Sequence, residues 1–142
     1  MAIWKNDVDL ATLQAQSEGT LVSHLGVEFI EIGDDFLRGR MPVDARTIQP
    51  AGILHGGASV ALAETLGSVA ANLCVDRSRK ACVGLEINAN HVRSVRPGDG
   101  YVIGTARPLH IGGSTQIWEI RIENEAGKLV CMSRLTMAVL NR

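Results

Sequence analysis

The sequence predicts an α+β fold in which one long buried helix packs on an antiparallel sheet. Three features carry that expectation. A proline-free, alanine- and leucine-rich run spans Ala58 to Val75, four β-type runs follow it, and a hairpin signal precedes it. The chain has 142 residues, 46% hydrophobic and 20% charged, which suits one domain with a real core and excludes disorder.

Taken in order, Leu10 to Val22 reads as a short helix with Asp9 as its N-cap and Leu10, Leu13 and Leu21 on related faces. Leu25–Ile32 and Phe36–Met41 flank Gly33-Asp34-Asp35 and read as a hairpin. Pro42 to Leu54 shows no periodicity and is expected to be a loop long enough to carry function. Ala58 to Val75 is apolar nearly all round, as a central helix is, and its small residues Ala61, Ala63, Gly67 and Ala70 permit close approach. After a basic turn at Asp76–Lys80, strands are expected at Cys82–Val92, Tyr101–Leu109, Thr115–Asn124 and Leu129–Leu140, arranged as a four-strand meander. One helix cannot cover both faces of such a sheet, so at least a dimer is expected.

Several function classes are excluded or disfavoured. The 14 basic and 15 acidic residues leave a formal charge of −1, and aromatics are 4%, so neither the field nor the stacking surface for nucleic acid is present. Ala58 to Val75 carries Glu64 and Asn72 and reads as a buried helix, so no membrane association is expected. Cys74, Cys82 and Cys131 form no CxxC pair, and no leader pattern opens the chain; both point to free thiols in a reducing cytoplasm. Metal-ligand spacings, a GxSxG elbow, a P-loop and GxGxxG are all missing, so no metal or cofactor is expected.

The chemistry concentrates at the central helix. Glu64 is its only charge, and Ser68 lies one turn on along the same face. Glu64 reads either as an exposed or subunit-contact residue or as an acid held for chemistry. Gln49-Pro50-Ala51-Gly52-Ile53-Leu54-His55-Gly56-Gly57 leads into the helix start. That glycine-rich approach is either a tight turn or a way of presenting free N–H groups to developing negative charge. The arginines of His91-Val92-Arg93-Ser94-Val95-Arg96, and those of Arg77, Arg79 and Lys80, are either solvated turns or contacts for the phosphates of a large anionic carrier.

Gln49-Pro50, Gly52, Leu54-His55-Gly56-Gly57, Ala63-Glu64 and Gly67-Ser68 together resemble the hotdog-fold acyl-CoA thioesterases of the PaaI-like type. Gly84 to His91 and Pro108 to Gly112 extend the resemblance over nearly the whole chain. It is nearest to the branches that hydrolyse 1,4-dihydroxy-2-naphthoyl-CoA, in menaquinone biosynthesis, and mischarged aryl-carrier proteins. The resemblance implies a curved antiparallel sheet around one helix, subunits paired into a continuous sheet, dimers joined into a tetramer, and active sites between subunits. It implies Glu64 as general base or nucleophile and Gly56 as the N–H that polarises the thioester carbonyl. Gln49 and His55 would position the acyl end, and Ser68 the water. Gly84, His91, Val92, Arg93, Ser94, His110, Ile111, Gly112, Gly113, Ser114 and Thr115 would line the acyl-CoA path, with Arg93 on phosphate. Two other readings are weighed beside it: hydration of an acyl thioester, disfavoured because the helix offers no His partner for Glu64, and an acyl-CoA-binding oligomer without catalysis.

Overall fold

Local signals begin the fold as expected and then depart from it. In the computed structural model, which describes residues 1–142, Asp9 caps α1 (Leu10–Gln16) by accepting the Thr12 N–H at 2.7 Å. The helix expected to reach Val22 is broken, because Gly19 takes φ +73° and a left-handed residue ends an α-helix. Thr20 then caps a separate turn, α2 (Leu21–His24). Leu13 is therefore buried while Leu21 is 63% exposed, and the two do not share a face. β1 (Glu28–Ile32) and β2 (Leu37–Met41) form the expected hairpin. The apolar run is α3 (Gly56–Leu73), followed by β3 (Lys80–His91), β4 (Val102–Ile111), β5 (Thr115–Asn124) and β6 (Leu129–Asn141).

All six strands form one antiparallel sheet in the order β1-β2-β4-β5-β6-β3. The expected four-strand meander is thus corrected: β4, β5 and β6 meander, while β3 lies at the far edge, paired with β6. Tight turns join β4 to β5 and β5 to β6, but the stretch from Val92 to Tyr101 is long enough to carry the chain from the edge back to the middle. The outer edge of β3 is unpaired, and Val83 and Leu85 on that strand are exposed.

α3 packs against β2, β3, β4, β5 and β6. Leu62 and Leu66, both fully buried, are its points of deepest contact. Gly39 of β2 and Gly104 of β4 stand opposite each other in register and leave a trough for Leu66. A methyl added at Gly39 or Gly104 would lie 2.8 or 2.7 Å from a Leu66 terminal carbon, far inside van der Waals contact. Gly67 plays the converse part, letting Leu135 of β6 reach the helix backbone. The closeness anticipated from the small residues of this run is thus matched by glycines in the sheet.

Polar ties fix the C-terminal end of α3. The Asn6 amide donates to the carbonyls of Leu73 and Val75 at 3.0 and 2.9 Å, satisfying groups that the helix end leaves open. Asn72 accepts the Cys82 N–H at 2.9 Å and donates to the Cys82 carbonyl at 3.0 Å, so its side chain holds β3 to the helix as a strand neighbour would.

Replacing Leu66 by Ala should cost about 2–5 kcal/mol and Gly104 by Ala about 1–3 kcal/mol in urea unfolding. Their effects should not add. In the Leu66→Ala background the Gly104→Ala penalty should vanish, because the new methyl enters the vacated trough.

Candidate active site

The loop before α3 is pinned before the helix starts. Thr47, nearly fully buried, donates its hydroxyl to the Pro42 carbonyl at 2.7 Å and accepts the His55 N–H at its own carbonyl at 2.8 Å. The Leu54 N–H donates to the Val95 carbonyl at 2.8 Å. This places His55 at the N-cap, where its Nδ1 accepts the Gly57 N–H at 2.8 Å. Its carbonyl accepts the N–H groups of Ala58 and Ser59 at 3.0 and 3.2 Å. Of the four N–H groups that open the helix, only that of Gly56 has no partner. It sits at the positive end of an 18-residue helix, suited to an oxygen that gains negative charge.

A cleft of about 440 Å³ opens on Gly56, and Gln49, His91, Val92, Arg93 and Ser94 line it. Gln49 Oε1 accepts the Ala51 N–H, which leaves the amide nitrogen as the free donor. The His91 ring lies over Gly56, with Nε2 3.0 Å from where a methyl on Gly56 would stand. Six of the expected residues therefore meet here. His55 does not: with Nδ1 accepting, its neutral ring carries the proton on Nε2, and the ring lines a neighbouring hollow with Leu21 and Arg46.

Glu64 lies in the middle of α3, half-buried, with its carboxylate pressed against Gly84 of β3. A side chain at position 84 would push that carboxylate aside. β3 also shifts register between Gly84 and Glu86, and such bulges re-aim groups beside active sites. Burial alone acts on the Glu64 carboxyl and raises it above the ordinary 4.5; no hydrogen bond or cation offsets this. Ser68, one turn on, donates to the Met137 sulfur at 3.8 Å and opens on a hollow of about 390 Å³ of mixed lining, with Leu13, Val22, Val69 and Leu73 beside Gln16, Thr20, Asn72 and Arg77.

Glu64 and Gly56 do not meet within one subunit. Eight residues separate them along the helix, about 12 Å of rise, and they are turned about 80° apart. His110 to Thr115 also stands away from the Gly56 cleft. Ile111, Gly112 and Gly113 border a second cleft at the opposite end of α3, and the Ser114 and Thr115 carbonyls accept the N–H groups of Val139 and Gly112. Sequence reasoning passed over Ser59, buried beneath the Gly56 cleft, and Lys5, which borders the second cleft. A hydroxyl in the first turn of an apolar helix was the available signal for Ser59; nothing local marked Lys5. Cys74 is core, as expected, and burial pushes its thiol up to about 12.

A carboxyl whose folded value is raised binds its proton more readily in the native state. Its favourable contribution is complete below the ordinary 4.5 and is lost as pH rises through the raised value. Glu64→Gln should therefore melt above the wild type at pH 8 and level with it at pH 4, as thermal scans would show.

Comparison with known proteins fits this geometry. The family model described as the Thioesterase superfamily matches residues 51–131. The chain is 55% identical over 138 residues to the 1,4-dihydroxy-2-naphthoyl-CoA hydrolase of Escherichia coli K12, covering 97% of this chain and 99% of that protein. It is 53% identical over 138 residues to the proofreading thioesterase EntH of Cronobacter turicensis, covering 97% and 98%. A mutant thioesterase, PA1618 of Pseudomonas aeruginosa, superposes with a TM-score of 0.96 at 48% identity, covering 99% of this chain and all of that one. With a six-stranded antiparallel sheet against one long helix, the chain has the hotdog fold, belongs to the thioesterase superfamily and is a thioester hydrolase.

Proposed function

We propose that the protein hydrolyses aromatic acyl-CoA thioesters, of the hydroxynaphthoyl or hydroxybenzoyl kind, to free acid and CoA in the cytoplasm. The observation that carries this is the pair formed by Glu64, a half-buried carboxylate without a partner, and Gly56, the one free N–H at the helix start. The hollow beside Ser68, where Leu13, Val22, Val69 and Leu73 stand among polar side chains, offers an aryl group an aliphatic side. The naphthoyl-CoA hydrolase relative, whose substrate the resemblance associates with menaquinone biosynthesis, supports the same acyl class.

Because the two groups lie too far apart in one chain, the working site takes Glu64 from one subunit and Gly56 from its partner. The free edge of β3, with Val83 and Leu85 exposed, is the surface on which a second copy extends the sheet and brings a second α3 alongside. Two such dimers then form a tetramer. Glu64 as general base takes a proton from water; the hydroxide adds to the carbonyl carbon. The resulting oxyanion is held by the Gly56 N–H and the Gln49 amide. Collapse restores the carbonyl, breaks the carbon–sulfur bond and releases the thiolate, which takes the proton from Glu64. As nucleophile, Glu64 would instead form a mixed anhydride that water then opens. A second reading, proofreading of a misloaded aryl-carrier protein, uses the same chemistry and is favoured by the EntH relative.

Thiol release from a panel of benzoyl, hydroxybenzoyl, hydroxynaphthoyl, short-chain and long-chain CoA thioesters, plus an aryl-carrier thioester, checks the reading. Aryl thioesters should lead, and Glu64→Gln should lower turnover at least about 100-fold with the oligomer intact. Equal rates on the alkyl thioesters would overturn the aryl assignment. The shared site has its own test. Gly56→Pro removes the donor at a position where proline suits a helix start and should cost roughly 100- to 1,000-fold. Refolding it in an equal mixture with Glu64→Gln should restore about one quarter of the wild-type rate, since half the dimers carry one intact site. No recovery would place both groups in one subunit.

A further inference from the structure

The free edge of β3 is open along only part of its length, and one side chain marks where the opening begins. Along an antiparallel edge strand, one residue turns its N–H and C=O to the neighbour and the next turns them outward. Two bonds fix the phase here: the Arg142 N–H donates to the Arg79 carbonyl and the Val92 N–H to the Val130 carbonyl, both at 2.9 Å. Lys80, Cys82 and Gly84 therefore point outward before the bulge at Leu85, and Ile87, Ala89 and His91 after it. The Lys80 N–H is already used, donating to the Asp76 carbonyl at 2.8 Å within its own turn. At Cys82 the Asn72 side chain takes both outward groups, accepting the N–H at 2.9 Å and donating to the carbonyl at 3.0 Å. Its amide also donates to the Ser68 carbonyl at 2.9 Å, so three bonds hold its orientation. Burial changes at the same boundary: Cys82 is buried, and Val83 to Glu86 are exposed.

What stays open is Gly84, Ile87, Ala89 and His91. Two copies related by a two-fold axis satisfy all of these groups only when the open stretches overlap in full. Gly84 then faces the partner's His91, Ile87 faces the partner's Ala89, and Asn88 lies on the axis against Asn88 of the partner subunit. The two ends of this stretch are the two halves of the site, since Glu64 lies against Gly84 and the His91 ring lies over Gly56. Full overlap thus carries Glu64 to the partner's Gly56. Were Cys82 open as well, full overlap would set Cys82 opposite the partner's His91, a slip of two residues or about 7 Å.

We propose that Asn72 is a positioning residue for the subunit pairing: by closing the β3 edge at Cys82 it stops the partner strand at Gly84 and so sets Glu64 against the partner's Gly56. The proposal rests on the shared-site reading for its effect on turnover, but not for the register itself.

The test reads register and rate separately. Asn88 turns its own backbone groups to β6, so the pair on the axis is a non-hydrogen-bonded one with Cα atoms about 4.5 Å apart, within disulfide reach. Asn88→Cys should therefore link two subunits when oxidised glutathione takes up the two electrons. The native cysteines are buried and leave the link to position 88. Asn72→Leu and Asn72→Ala both remove the three bonds, the first keeping the bulk of the side chain. In either background the link should fall at least about tenfold, because a slipped pair stands beyond disulfide reach. Turnover of an aryl-CoA thioester should fall about 100-fold with it, as misplaced reacting groups do. Adding Cys82→Pro, which bars strand pairing at the same place with no bond to residue 72, should bring both back. A staple that only held β3 to the helix would not be rescued this way. No link at position 88 in the otherwise unaltered chain, an undiminished link in the Asn72 variants, or no rescue by proline in a folded dimer overturns the proposal. Failure of the shared-site reading shows differently: the link forms and is lost in the variants, yet mixing Gly56→Pro with Glu64→Gln restores no activity.

Discussion

The contact on which the structure turns is Leu66 of α3 set into the trough between Gly39 and Gly104. With no side chain at either glycine, the end of Leu66 reaches the sheet backbone itself, and that fit sets the place of the helix along the sheet. Once that register is set, Glu64 falls opposite Gly84 of β3, and the absence of a side chain at Gly84 gives its carboxylate room. Gly67 against Leu135 secures the same register one position on. The glycines of the sheet thus make room for a leucine in the middle and for a carboxylate at the edge.

Against this well-packed frame, Glu64 is a local loss. A carboxylate half out of water with no donor and no cation is destabilising when ionised, and every neighbouring position on the buried face of α3 is apolar or small. The fold tolerates it because the helix is anchored on both sides of the acid, by Leu62 and Leu66 on the sheet and by Asn72 on β3. The same burial makes the group a better base than an exposed glutamate.

The helix start shows the opposite economy. His55 satisfies three of the four opening N–H groups, one through its ring and two through its carbonyl, and leaves the Gly56 N–H alone. A Ser or Asp cap could close the same helix; what matters is that the loop is tied down by Thr47 and Val95, so the open N–H has a fixed direction. His55 therefore contributes by shaping the donor, and His91 is the histidine that stands over it.

Most of what depends on near neighbours was legible in the sequence. Alternation placed the last four strands to within a residue or two, the uninterrupted apolar run gave the central helix, and one acid in that run stood out as the candidate. Gly19, in contrast, shows how one backbone conformation can divide a helix that its leucines appear to support. The place of β3 at the sheet edge and the Gly39–Gly104 trough lay beyond reach. Each joins residues far apart in the chain, and strand periodicity says which face a residue takes but not which strand lies beside it. The sequence by itself determined the elements and the candidate acid. Only the tertiary structure decided that the Glu64 carboxylate lies against Gly84 of an edge strand paired with β6, because those residues meet through packing between distant segments.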